Sequence, residues 1–264
     1  MSQFDSGWLS VRRERDHASR AAPPGPLCVH LEKHRRPLEI VDLGAGTGSN
    51  AAYLASHLPG PQRWRLVEQD LAHRSQAQLP GEHDTVFDWR AADLAADLPG
   101  ALSGALDLIT ASAFLDLVSA RWIDELVLIG AERRAGFLIA LTYDGIQGFC
   151  PPLPQDADIV GLFNRHQRTD KGFGPALGPT ATCYLRERLQ DAGYQVETTS
   201  TPWKIGPGEA AFVDVFLTGV VKAAVEMAPG FRDRADRWLE TRLQQAQAGE
   251  LILTVGHQDL FAWP

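Results

Sequence analysis

Apolar and polar positions along this chain alternate between two periodicities. Leu38-Glu-Ile-Val-Asp-Leu43 is a strand-length apolar run with an acid near its end, followed by Gly44, Gly46 and Gly48 and then by helical spacing over residues 51–58. The unit is strand, glycine turn, helix. Residues 63–68 predict a second strand after the break at Pro59-Gly-Pro61, and the run from Asp84 predicts a third that passes into a loop at Asp93-Leu94. Residues 106–112 and 136–144 predict the fourth and fifth strands, separated by Trp122, Ile123, Leu126 and Val127 at the spacing of a core helix. A helix over 180–192, a sixth strand over 193–200 and a seventh over 250–263 complete the pattern. Repeated βα units demand an α/β fold, a mostly parallel sheet with helices on both faces.

Three segments depart from that rhythm. Residues 1–22 read as an amphipathic lead in which Trp8, Leu9 and Val11 precede a charged run, before the break at Pro23-Pro-Gly-Pro26 and a short helix. Residues 145–180 shift toward proline, glycine and charge. Residues 209–227 form a helix apolar nearly all round, which implies deep burial or a dimer contact, and 231–246 form a one-sided helix. The expected organisation is an N-terminal helical segment over 1–37 and one domain over 38–264, with capping insertions at about 145–180 and 206–249.

Composition narrows the partners more than the fold. The 264 residues are 44% hydrophobic and 22% charged, ordinary for a globular protein, with a net charge of -8. An acidic chain disfavours non-specific binding to nucleic acid or anionic membrane. Cys28, Cys150 and Cys183 are too scattered for a disulfide framework or a zinc site, so no metal is expected. The N-terminal stretch lacks a signal-peptide core, and no run approaches the ~20 apolar residues of a membrane span. The expectation is a cytoplasmic monomer or homodimer with free thiols.

Candidate chemistry gathers at the predicted C-terminal strand ends, where open α/β sheets bind ligands. Asp42, Glu68, Asp93, Ser112 and Tyr143 all fall there. Glycines at 44, 46 and 48 permit a tight turn and close approach of a ligand to the backbone. The dinucleotide fingerprint requires a further glycine where this chain has Ser49. A carboxylate placed like Glu68 accepts both hydroxyls of a ribose. Asp70, two residues on, reads as a helix N-cap. The stretch 163–178 sets Arg165, His166, Arg168 and Lys171 among glycines and two phenylalanines, either as a hinged acceptor loop with His166 as base or as a solvated loop. His257 reads as structural.

The pattern Asp42-x-Gly44-x-Gly46-x-Gly48 resembles the first motif of class I S-adenosylmethionine-dependent methyltransferases, of bacterial small-molecule type, over residues 38–145. The resemblance implies a Rossmann-like seven-stranded sheet whose last strand is antiparallel in the edge region. It implies S-adenosylmethionine (SAM) as cofactor and S-adenosylhomocysteine (SAH) as product. Gly44, Ala45, Gly46 and Gly48 would wrap the methionine part, with Asp42 orienting its amino group and Glu68 on the ribose. Asp93 and the Leu94 amide would meet adenine, with a helix cap as the alternative reading of Asp93. Ser112 would lie beside the methionine end and Phe114 would wall the pocket. Asp116 is a candidate acceptor group or, alternatively, an acid favoured by a helix N-terminus. N-terminal helices in this superfamily often cover the cleft, so Arg12, Arg13 and Arg20 are either lid residues meeting an anionic substrate or a solvated face. The expected acceptor is a small molecule, with a carboxylate or phosphate favoured by the basic stretch. An NAD(P)-dependent oxidoreductase and a non-catalytic binding subunit are the alternatives.

Overall fold

A computed structural model of the chain describes residues 6–34, 37–81 and 84–264. Two helices, α1 (Ser6–Ser19) and α2 (Gly25–Glu32), lead into β1 (Leu38–Leu43), the glycine turn and the short α3 (Ser49–Leu54). Strands β2 (Gln62–Glu68) and β3 (Thr85–Ala91), helix α4 (Leu98–Ala101), β4 (Leu108–Ser112), α5 (Ala120–Glu132) and β5 (Gly136–Cys150) follow. The second half carries α6 (Asp156–Gln167), α7 (Ala181–Asp191), β6 (Gln195–Ser200), β7 (Trp203–Ile205), α8 (Ala210–Met227), α9 (Arg232–Gln247) and β8 (Ile252–Trp263).

The strands form one eight-stranded sheet in the order β3-β2-β1-β4-β5-β8-β6, with β7 paired to β8. Pairings among β1 to β5 are parallel, and β8 runs antiparallel between β5 and β6. Alternation along β1 explains the two main cores. Val41 and Leu43 face one side, with Ile109, Phe137, Ile123 and Leu185, while Leu38 and Ile40 face the other, with Leu27, Leu54 and Trp64. Residues buried on both faces read as continuous apolar runs, as parallel strands do.

Three expectations need correction, while the antiparallel last strand lies in the edge region as expected, one place inside the edge because β6 adds outside β8. Residues 203–205 form a strand of their own, giving eight strands rather than seven. β5 continues to Cys150 beyond the predicted end near residue 144 by keeping β8 as partner through two register shifts. The basic stretch is not a loop throughout: Phe163 to Gln167 are the last turns of α6, and only the residues after it are irregular.

The β5–β8 extension supports a third core, where α6, α8 and α9 pack through Ile159, Leu162, Leu217, Val220 and Trp238. The apolar girth of α8 is spent here, although Val215 remains 49% exposed. Buried Arg242 ties α9 to α6 by donating from Nη2 to Asp156 Oδ2 at 2.6 Å and from Nη1 to the Pro151 carbonyl at 2.7 Å. A buried charge requires such partners. Trp8 of α1 stacks on Phe216 and meets Trp203 edge-on, fastening α1 to this core. Arg15 of α1 also pairs with Glu209. Among the described residues no helix is long and apolar enough to cross a membrane.

Candidate active site

The glycine turn after β1 makes one wall of a large cleft. Gly44, Gly46 and Gly48 have φ of +65°, +54° and +75°, where a side chain is strained. A Cβ at Gly44 would also sit 2.7 Å from Phe114 Cδ2. The turn is closed by Gly48 N donating to the Ala45 carbonyl and by Ala45 N donating to the Val67 carbonyl at the adjacent strand end. Glu68, half-buried, accepts from Gly46 N at 2.8 Å through Oε2, and from Gln69 N and Asp70 N through Oε1. One carboxylate thus holds two loops at a fixed spacing, and it keeps one unused acceptor site, on Oε2, in a residue that lines the cleft.

Beneath the turn lies a buried polar chain. Asp42 is fully buried, and its Oδ1 accepts from Asn50 Nδ2 at 2.6 Å while its Oδ2 has no partner. Burial raises the Asp42 pKa to about 7, opposed by the Asn50 hydrogen bond and the Arg20 charge. Asn50 also donates to Thr110 Oγ1 at 3.0 Å and accepts from Arg20 Nη1 at 2.7 Å. α1 therefore reaches the glycine turn directly, and His17 Nε2 lies 2.9 Å from Ser49 Oγ.

The cavity holds about 1250 Å³, more than the ~300–1,000 Å³ of a typical single-ligand pocket. Its charges are sorted. Arg12, Arg20 and Lys171 come from α1, the residue after it and the segment after α6, and Glu68, Asp70 and Asp93 lie at or just beyond the ends of β2 and β3, while two imidazoles, His17 with its pKa lowered by burial and His73, also line the cavity. Asp16, the exception, is paired to Arg12 at 2.8 Å. Phe114 and Phe173 meet edge-on at 5.4 Å and wall the cavity beside Lys171. At the strand ends, Ala113 and Leu141 have φ of +51° and +52°, conformations costly for residues with a Cβ and held here by Ala113 N to Ala140 O and Leu141 N to Asp259 Oδ1.

The predicted residues divide between cavity and surroundings. Gly44, Ala45, Gly46, Glu68, Asp93, Leu94, Ser112, Phe114 and Lys171 line the cavity, and Gly48 completes the same turn. Asp93 Oδ1 accepts from Ala95 N at 2.9 Å, so the residue caps its loop while lining the cleft. Asp70 caps the turn after it, accepting from Ala72 N. Asp116 is buried between lining residues Phe114 and Leu117. Burial raises its pKa to about 6, against the charges of Arg12 and Lys171. Tyr143 is turned away: its hydroxyl donates to Asn164 Oδ1 at 2.8 Å and accepts from Gln147, and burial pushes its pKa far up. His166 lies 3.0 Å from Glu226 Oε2 and 3.2 Å from Lys171 Nζ, behind the wall. Arg165 and Arg168 are exposed outside the lining, because the last turn of α6 points them to solvent. Arg13 donates to the Gln78 carbonyl at the rim. Sequence reasoning missed Asn50, His17 and Asp259, whose roles arise from contacts between α1, α3 and β8 that no local pattern announces.

No family model matches this chain, and neither does any curated protein. Solved structures do. A cyclopropane-fatty-acyl-phospholipid synthase-like protein from Lactobacillus casei ATCC 334 is 14% identical over 96% of this chain and 99% of its own, with a TM-score of 0.50. The chain has the class I methyltransferase fold. A mycolic acid cyclopropane synthase, CmaA1, in complex with SAH and CTAB is 12% identical over 97% of this chain and 84% of its own, at a TM-score of 0.46. A Haemonchus contortus phosphoethanolamine-type N-methyltransferase solved with SAH is 12% identical over 99% of this chain and 58% of its own, at 0.42.

Proposed function

We propose that the protein is a SAM-dependent methyltransferase acting on a small anionic acceptor. The observation that carries the reading is one cavity lined by the glycine turn, by acids at or just beyond the β2 and β3 ends, and by Arg12, Arg20 and Lys171 from other segments. The chain's residues suit the cofactor on grounds of their own. Gly44 admits no Cβ, Glu68 lines the cleft with one acceptor site on Oε2 still unused, and Asp42 Oδ2 is an orphaned buried oxygen beneath the turn. In this reading Gly44, Ala45, Gly46 and Gly48 hold the methionine part, Asp42 acts through the turn, Glu68 takes the ribose hydroxyls, and Asp93 with the Leu94 amide takes adenine. Ser112 borders the methionine end. When bound, SAM supplies a methyl group on a sulfonium, open to in-line displacement.

The protein contributes placement, which is worth about 7–11 kcal/mol when geometry is ideal. Phe114 and Phe173 exclude water on one side, while Lys171 attracts the acceptor's charge. Asp116 holds its proton up to about pH 6, so above that pH its carboxylate can take a proton from an acceptor hydroxyl. Tyr143 and His166, predicted as chemical groups, serve instead as supports for the cap and for Lys171. Arg165 and Arg168 belong to the outer surface, and Lys171 alone of the basic stretch meets the acceptor.

The test is methyl transfer from labelled SAM to a panel of small carboxylates, phosphates and uncharged amines. Transfer to anionic members, with Lys171→Ala raising KM at least tenfold and leaving SAH affinity unchanged, is the expected result. Transfer confined to amines would refute the acceptor class, and SAM binding without transfer to any class would favour a binding subunit.

A further inference from the structure

We propose that Arg20, from the end of the N-terminal helical segment, binds the α-carboxylate of the cofactor's amino-acid portion, so that α1 belongs to the cofactor site itself. The inference rests on the methyltransferase reading above and adds a residue to it. Arg20 is one residue beyond α1, its side chain is 1% exposed, and it lines the cavity beside the glycine turn. A guanidinium carries five donors and stays charged at any physiological pH. Nη1 donates to Asn50 Oδ1 at 2.7 Å, but Nε and Nη2 are buried without a hydrogen-bond acceptor among the described residues.

Asp259 pairs with the charge as a buried ion pair but fills neither free donor. Asp259 Oδ2 stands 3.7 Å from Nε, beyond hydrogen-bond length, and accepts instead from Ala21 N at 3.0 Å. Asp259 Oδ1 accepts from Leu141 N and Thr201 Oγ1. Asp42 reaches Arg20 only through Asn50. A buried charge with two unused donor nitrogens is costly unless a ligand completes it. The guanidinium also stacks over Tyr53, its carbon 4.7 Å from the ring centroid, which fixes the plane of its fork. That fork suits a carboxylate taken by two donors. SAM and SAH each carry one carboxylate, on the amino-acid end, the end assigned to the glycine turn. The acids Glu68 and Asp93 occupy the nucleoside end and leave no anion to be bound there.

The experiment is calorimetric titration of wild type, Arg20→Met and Arg20→Lys with SAH and with 5′-methylthioadenosine, which keeps the nucleoside and lacks the amino-acid portion. Removal of hydrogen bonds to a charged group predicts an SAH affinity lowered by about 10- to 100-fold in Arg20→Met. Methylthioadenosine should bind both proteins within twofold, which also shows that the variant is folded, and Arg20→Lys should fall between. A second comparison needs no substitution: wild type should prefer SAH over its methyl ester by a similar factor. Equal losses for SAH and methylthioadenosine would make Arg20 a structural residue and overturn the assignment, as would undiminished SAH binding or equal binding of acid and ester. Failure of wild type to bind either nucleoside would instead overturn the methyltransferase reading.

Discussion

Replacing Asp42 with asparagine is expected to remove a pH-dependent loss of stability. The carboxyl is fully buried beneath the glycine turn, and burial lifts its pKa from an ordinary 3.8 to about 7. A carboxyl whose folded pKa lies above its unfolded value binds its proton more tightly in the native state. Its penalty is therefore absent below about pH 4, grows as pH rises, and is complete above about pH 7. The gap of about three pH units corresponds to roughly 4 kcal/mol, an order-of-magnitude figure. Asparagine keeps the shape and an oxygen for Asn50 Nδ2, at a cost of about 1 kcal/mol for the further amide donor it buries. Urea unfolding followed by tryptophan fluorescence at pH 4.5, 5.5, 6.5 and 7.5 gives both stabilities. The variant should be slightly less stable than wild type at the acid end and more stable, by a few kcal/mol, at pH 7.5. A stability difference constant across that range would show that Asp42 is ionised in the native protein and would refute the burial argument.

Further substitutions probe the cleft. Glu68→Ala, which frees three backbone amides and removes the ribose partner, should weaken SAH binding more than tenfold by calorimetry; unchanged affinity would contradict the cofactor placement. Gly44→Ala should abolish SAH binding while the far-UV circular dichroism stays native, because the added methyl meets Phe114 and the φ of +65° disfavours it; normal binding would refute that clash. Arg165→Ala with Arg168→Ala should leave turnover within twofold, since both are exposed outside the cavity lining, whereas a large fall would return the outer stretch to the acceptor site. With a hydroxyl acceptor, turnover should rise through about pH 6 as Asp116 ionises, and Asp116→Asn should flatten that limb; a limb surviving the substitution would assign the titration elsewhere.

What was legible in the sequence was local. Leu38–Leu43 and the glycines declare a strand and a turn by periodicity and by φ > 0, and Glu68 follows from its place at the next strand end. The cap was not legible in that way. Residues 145–180 shift toward proline, glycine and charge, yet 156–167 within them form α6, which long-range partners hold: Arg242 and Trp238 on Asp156, and Glu226 on His166. The short β7 has no pattern of three residues to read and exists because β8 offers it an edge. β8 lies inside the sheet because β6 pairs with it, and which strand adds outside which is settled by packing across the chain rather than by spacing. For the same reason the charged run of α1 did not distinguish Arg20, buried against Asn50, from Arg13 at the rim.

The central claim is the cofactor, and titration of the purified protein with SAM, SAH and NADH tests it most directly. The account predicts micromolar binding of SAM and SAH and no binding of NADH. A well-folded protein that binds NADH alone, or none of the three, would contradict it.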